Sequence, residues 1–477
     1  MFKNINIFRP IIAILILFIP LYPKFPLLSV PGTYVAIRLD DVIIALSVLI
    51  WLIYQIIHKL PVFKLKITKL FLVYFLAIIA SFVTAFLIYQ TEATNILLLH
   101  LFRRFQYISL FFIAINSIKK INDYRFSYLF ILLATAFVSL YGYGQKYFKF
   151  PVISTMNSEF SKGQLLQMDV WTRINSTFAG HYDLAAFLSV TLIIIGVVFI
   201  INKNIWVKLA SLLVWVAAYP IFTFTASRVS TFAFLGGICL TLFILKKYFW
   251  IPLFVILVGL SIFNSKDLNQ RLLATIPALI NQINISKDIN PTITPTPTLI
   301  PTITPSPIPI VAQVKPKPIS KKTTPTPTII RYQPINDYPT VDADAGVARS
   351  GEIRFNVEWP RAINAYKKNI ITGTGLGSIT LATDNDYLRS LGESGLFGFI
   401  SFSIIILFFI IKTFPLLFKK NKNKQDFYSI IFFGCLLTTL ANAVFIDVFE
   451  ASKTAYLFWI MMGLYYQSLN LKEKNRL

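Results

Sequence analysis

Cysteine, histidine and charge are all scarce in this chain, and each scarcity removes a class of protein. The two cysteines, Cys239 and Cys435, both lie inside apolar runs, so neither a disulfide framework nor a metal-thiolate site is on offer. There are three histidines, no Gly-rich phosphate loop and no His/Cys ligand cluster, so no metal or nucleotide site is signalled. Charged residues are 14% of the chain against 56% apolar, far from the balance of a water-soluble domain. Acids are scarcer than bases, 21 against 45, which leaves a formal charge of +24. A nucleic-acid partner would need that charge on one face of a soluble fold. The lysines fall instead in short loops between apolar runs, the arrangement that sets orientation in a membrane.

Apolar runs are what the chain has in abundance. A bilayer core about 30 Å thick takes about 20 mainly apolar residues per helical span. Twelve stretches qualify, near 9–28, 40–57, 70–89, 97–117, 126–145, 181–201, 208–225, 229–246, 249–265, 393–412, 427–446 and 453–469. The first ends among Pro20, Pro23 and Pro26 with no small-residue cleavage site, so it reads as a span and not as a signal peptide. The fold class predicted is an all-α integral membrane protein of about twelve transmembrane helices. Nine of them lie in 1–265, a large loop occupies 266–392, and three more with a tail occupy 393–477.

Lys59, Lys64, Lys66 and Lys69 share one connection, Lys119, Lys120 and Arg125 another, then Lys203 with Lys208, Lys246 with Lys247, and Lys412 to Lys424. Every one of these joins an even span to an odd one. This predicts a multi-pass protein of the cell membrane with both termini cytoplasmic and the loops 146–180 and 266–392 facing outward. Within the second loop, 291–328 holds 11 of the 25 prolines among threonines and reads as an extended tether. Beyond it, Trp359 to Tyr366 reads as an amphipathic helix, Thr372 to Gly377 as a Gly-rich turn, and Asp384 to Ser390 as the run into the tenth span.

Charge at membrane depth is expensive, so ionisable groups at the outer ends of spans are candidates for function. Arg173 opens a stretch that runs through His181 to Ala185, and Arg228 follows Ser227 in a very short hairpin. Arg349, Arg354 and Arg361 follow the tether, and Arg103 and Arg104 sit deeper in the fourth span. Guanidinium groups gathered on one side of a membrane call for an anionic partner, and they clamp phosphate oxygens in bidentate fashion. The alternative is snorkelling to lipid headgroups. Asp384, Asp386 and Glu393 approach the outer end of the tenth span, where a carboxylate can take a proton from an acceptor hydroxyl. Either Asp384 or Asn385 also suits a helix cap. His181 fits proton transfer and an interfacial hydrogen bond equally well. Asp342-Ala-Asp344 and Asp384-Asn-Asp386 spell Asp-x-Asp, a weak metal signal on the face away from nucleotide sugars.

With these residues the chain resembles the O-antigen ligase and polymerase superfamily. Ligases of that family show a His, then Asn, Ser or Gln, nine residues and Gly-x-x-Gly. Here Asn385 is followed by nine residues and Gly395-Leu396-Phe397-Gly398, with Asp384 standing where the His would be. Ser227-Arg228, the stretch from Arg173 to Ala185, and Arg354 with Trp359, Gly373, Gly375 and Gly377 look like further family elements in the family's order. The resemblance implies transfer of a glycan from undecaprenyl diphosphate to a lipid, protein or growing polysaccharide at the outer face, with no metal or other cofactor. Arg173, Arg228 and Arg354 would hold the diphosphate, Asp384 would be the base with His181 its rival, and Asn385, Glu393, Ser227, Gly395 and Gly398 would support the site. Ligase and polymerase both remain open readings, and a transporter or flippase of lipid-linked glycans is the alternative class.

Overall fold

The computed structural model describes residues 6–29, 36–89, 94–152, 173–265, 269, 354–379 and 383–474. The tether 291–328, Arg349 and Asp342-Ala-Asp344 lie outside the described residues.

Among the described residues there are thirteen α-helices. In chain order they are α1 (Phe8–Leu21), α2 (Leu39–Ile57), α3 (Lys66–Thr84), α4 (Thr94–Ser117), α5 (Asp123–Phe148), α6 (His181–Ile201) and α7 (Ile205–Phe224). There follow α8 (Arg228–Ile244), α9 (Ile251–Asn264), α10 (Trp359–Lys368), α11 (Asp386–Phe418), α12 (Lys424–Asn442) and α13 (Ser452–Lys474). All twelve apolar stretches coincide with a helix, and the predicted amphipathic segment is α10. Among the described residues, seven helices are long and apolar enough to cross a membrane, and α1, α8 and α9 are shorter apolar helices.

The predicted first span does not run to residue 28. Helix α1 stops at Leu21, because Pro23 and Pro26 lack the N–H that would continue it. The chain turns instead into an antiparallel ribbon of two short strands, β1 (Pro26–Ser29) and β2 (Ala36–Arg38). Helix α11 starts seven residues before the predicted 393, where Asn385 accepts from the N–H groups of Tyr387 and Leu388 at 3.1 and 3.0 Å.

Helix α6 is the centre of the bundle. Leu184, Leu188, Leu192 and Ile195 along it are fully buried, and α7, α8 and α12 pack around it. The outer helices turn large apolar side chains away from the protein, among them Leu213 at 71% and Phe263 at 77% exposure. A helix apolar on all sides, with one side in the protein core, has lipid as its other solvent.

Two ends of the bundle differ in chemistry. Asn6, Lys64, Lys66, Lys119 and Asn470 line a cleft at the end where α1 and α3 begin and α2, α4 and α13 finish. At the opposite end, Lys453 reaches from the start of α13 to the carbonyls of Pro20 and Thr177 at 3.0 and 2.7 Å. Arg173 before α6, Arg228 at the start of α8, and Arg354 with the turn before α11 gather at this second end.

Candidate functional site

The segment 173–180 is buried between helices, and polar side chains hold its backbone. Ser176, at φ +51, donates its N–H to the Gln145 side-chain oxygen at 2.7 Å, and the Gln145 amide donates back to the Ser176 carbonyl at 2.9 Å. Thr177 donates its hydroxyl to the Pro20 carbonyl. This frame presents Arg173, and α6 then begins with His181 and Tyr182. Arg173 Nη1 lies 2.5 Å from His181 Nε2, and the rings of His181 and Tyr182 are 4.1 Å apart.

The hairpin between α7 and α8 is three residues long. Ser227 caps α8 by accepting from the Ser230 N–H at 3.4 Å, and the Ser230 hydroxyl donates to Asn442 Oδ1 at 2.7 Å. Asn442 in turn donates to Ser189 of α6 at 3.3 Å. The first residue of α8 is thereby fixed to α6 and α12, and that residue is Arg228.

Arg354 opens a single π-helical turn, Arg354–Glu358, that leads into α10. Its Nε and Nη2 donate to Asp384 Oδ2 at 2.8 and 2.7 Å, and its guanidinium carbon is 5.8 Å from the centre of the Tyr182 ring. Tyr182 turns its hydroxyl towards both Arg354 and Arg173, and Arg228 lies within electrostatic reach of Tyr182, Arg354 and Arg173. Two guanidinium groups from separate segments, Arg173 and Arg354, therefore meet on one phenol, with that of Arg228 in electrostatic reach. Helices α6, α8 and α11 all begin at this cluster, and their N-terminal N–H groups add partial positive charge to it. An anion with several oxygens matches this field.

Burial pushes the Asp384 carboxyl above the usual carboxylate range, against the pull of Arg354. Glu358, four residues after Arg354, is pushed up to about 7 by burial and then by the neighbouring Asp384.

The other sequence candidates are placed as follows. Asn385 and Ser227 are helix caps. Glu393 is buried away from the arginine trio and pairs with Arg389 at 3.2 Å and Arg104 at 3.9 Å. Arg104 also pairs with Glu450. Gly395 and Gly398 sit at a break in α11, where Gly395 has φ +62 and ψ −168. The chain 370–375 crosses that break. Leu396 and Phe397 donate their N–H groups to the carbonyls of Ile370 and Ile371 at 2.8 and 3.0 Å, while Thr374 and Gly375 donate to those of Gly392 and Glu393 at 2.9 and 3.0 Å. The backbone groups freed by the break are thus satisfied by other protein groups. Gly373, Gly375 and Gly377, all at positive φ, let this crossing pass close to Glu393, Ala85 and His100.

Sequence reading did not single out Tyr182, Glu358, Asp447, Arg389 or Lys453. For Tyr182 the signal was its place between His181 and Asp183; for Asp447 and Lys453 it was an ionisable residue at the edge of an apolar run. Among the described residues, no group of three or more His, Cys, Asp or Glu is arranged to hold a metal ion. No family model matches the chain, and the search of curated proteins found no match.

Proposed function

We propose that this chain is a membrane glycan transferase that moves a glycan from undecaprenyl diphosphate onto an acceptor at the outer face of the membrane. The observation that carries the reading is the gathering of Arg173, Arg228 and Arg354 around Tyr182 at three helix N-termini. Diphosphate is a good leaving group, so the demand on the protein is to hold it and to stabilise the charge that develops as it departs. Guanidinium groups held by a capped hairpin, a pinned loop and an ion pair meet that demand with little rearrangement. In this reading His181 and Asp384 hold Arg173 and Arg354 in position, besides being the bases that the sequence offers.

The reading takes all twelve apolar helices as spans, with the lysine-rich end in the cytoplasm and the arginine cluster outside. It covers both polymerisation of repeat units and attachment of a finished glycan, because both break the same bond.

The test is the lipid-linked glycan profile of cells that lack the chain. Accumulated single repeats identify a polymerase and accumulated long chains a ligase; donor trapped on the inner leaflet identifies a transporter and ends the proposal. Reintroducing Arg228→Ala should give normal protein levels with transfer lowered roughly a hundredfold. Full activity in that variant would remove the clamp.

A further inference from the structure

Asp384 and His181 each spend an acceptor atom on an arginine. Asp384 Oδ2 takes both N–H groups that Arg354 offers it, and His181 Nε2 faces Arg173. The next carboxylate in the cluster is Glu358, one helical turn beyond Arg354 on the same element. Its Oε2 is buried without a hydrogen-bond partner, and so is Nε1 of the adjacent Trp359. A buried acceptor and a buried donor left open on successive residues each carry a cost that a ligand can remove. The chemistry that satisfies both is a polyol: a hydroxyl donates to the carboxylate, and a second hydroxyl or a ring oxygen accepts from the indole.

We propose that Glu358 and Trp359 form the acceptor-sugar site and that Glu358 is the base that deprotonates the attacking hydroxyl. The proposal rests on the transferase reading above. As the acceptor oxygen bonds to the anomeric carbon, the bond from that carbon to the diphosphate oxygen breaks. The diphosphate leaves with the electron pair towards Arg173, Arg228 and Arg354, and the acceptor proton moves to Glu358 Oε2 and then to water.

The charged groups facing Glu358 are Asp384, Arg354, Asp447 and Arg361. Together with burial they hold the carboxyl at about 7, near the pH at which a general base is most effective. The working form is the ionised one, so transfer should fall as pH drops below about 7 and level off above it.

Membranes from cells lacking the chain supply both donor and acceptor, and purified full-length protein is added to them across a range from mildly acidic to mildly alkaline pH. Glu358→Gln should lower the rate roughly a hundredfold and abolish the acidic limb. Trp359→Phe should raise the acceptor concentration needed while leaving that limb in place. Asp384→Asn should keep the limb, because the titrating group is still present. Glu358→Gln activity within about tenfold of wild type, or with an intact acidic limb, would overturn the proposal. If Glu358→Gln does not fold, Glu358→Asp takes its place: a reduced rate with the limb retained supports the base, and an unchanged rate refutes it. Loss of transfer in Arg228→Ala with full transfer in Glu358→Gln would remove the base and leave the transferase standing. Full transfer in both would remove both.

Discussion

Asp447 holds the turn that carries Asp384. Its Oδ2 accepts from the Thr383 N–H at 2.9 Å and its Oδ1 from the Asn385 N–H at 3.2 Å, while Arg389 Nη1 donates to the same carboxylate at 3.3 Å. Asp384 between them sits at φ +49, a left-handed conformation that needs such support. Asp447→Ala orphans two backbone donors and one arginine contact, and should cost about 3–5 kcal/mol. Asp447→Asn keeps one acceptor oxygen and should cost less. Thermal unfolding of the purified protein checks the order, and equal midpoints for both variants and wild type would show that the turn holds itself. Little of this was legible in the sequence. Arginines near span ends stood out because charge at membrane depth is costly. Asp447 and Thr383 are 64 residues apart, and Tyr182 and Glu358 carry no compositional mark, so only the fold discloses what they touch.

Helices were legible element by element, because period and length suffice to find an apolar helix. The break inside α11 was not, since Gly395-Leu396-Phe397-Gly398 reads equally well as a helix interior. Its cause is tertiary. A Cβ on Gly395 would lie 2.3 Å from the Ile371 carbonyl oxygen, in the chain that crosses the break, and the positive φ adds strain of its own. Gly395→Ala should therefore cost more than the roughly 1–3 kcal/mol of backbone strain. Gly259 in α9 has nothing within 4 Å of the added carbon, so Gly259→Ala should be neutral or stabilising by up to about 1 kcal/mol. Comparing the two thermal midpoints isolates the crossing; similar values would mean that the break relaxes freely. The proline-rich turn after α1 is a milder case of the same limit. Hydropathy carried the predicted span to residue 28, whereas the proline spacing stops α1 at Leu21 and leaves Leu27 and Leu28 on an exposed strand.

At the scale of the whole molecule, the decisive asymmetry is between a lysine-rich end and an arginine-rich one. Lysine is a compact, strongly hydrated charge suited to loops in water, whereas arginine forks onto phosphate oxygens. The lysines at Lys64, Lys66 and Lys119 line an open cleft, while Arg354 is buried in its cluster. If the positive-inside bias orients the chain, a fluorescent protein fused after the C-terminal residue should mature and glow in the cytoplasm. Alkaline phosphatase joined after residue 265 should be active, because it gains its disulfides only outside. The same pair of signals should survive deletion of 291–328, since insertion depends on the apolar helices and their flanking charges and not on the tether. Reversed signals would put the arginine cluster on the cytoplasmic side, where a lipid-linked donor is assembled instead of consumed, and the transferase reading would fall with the orientation.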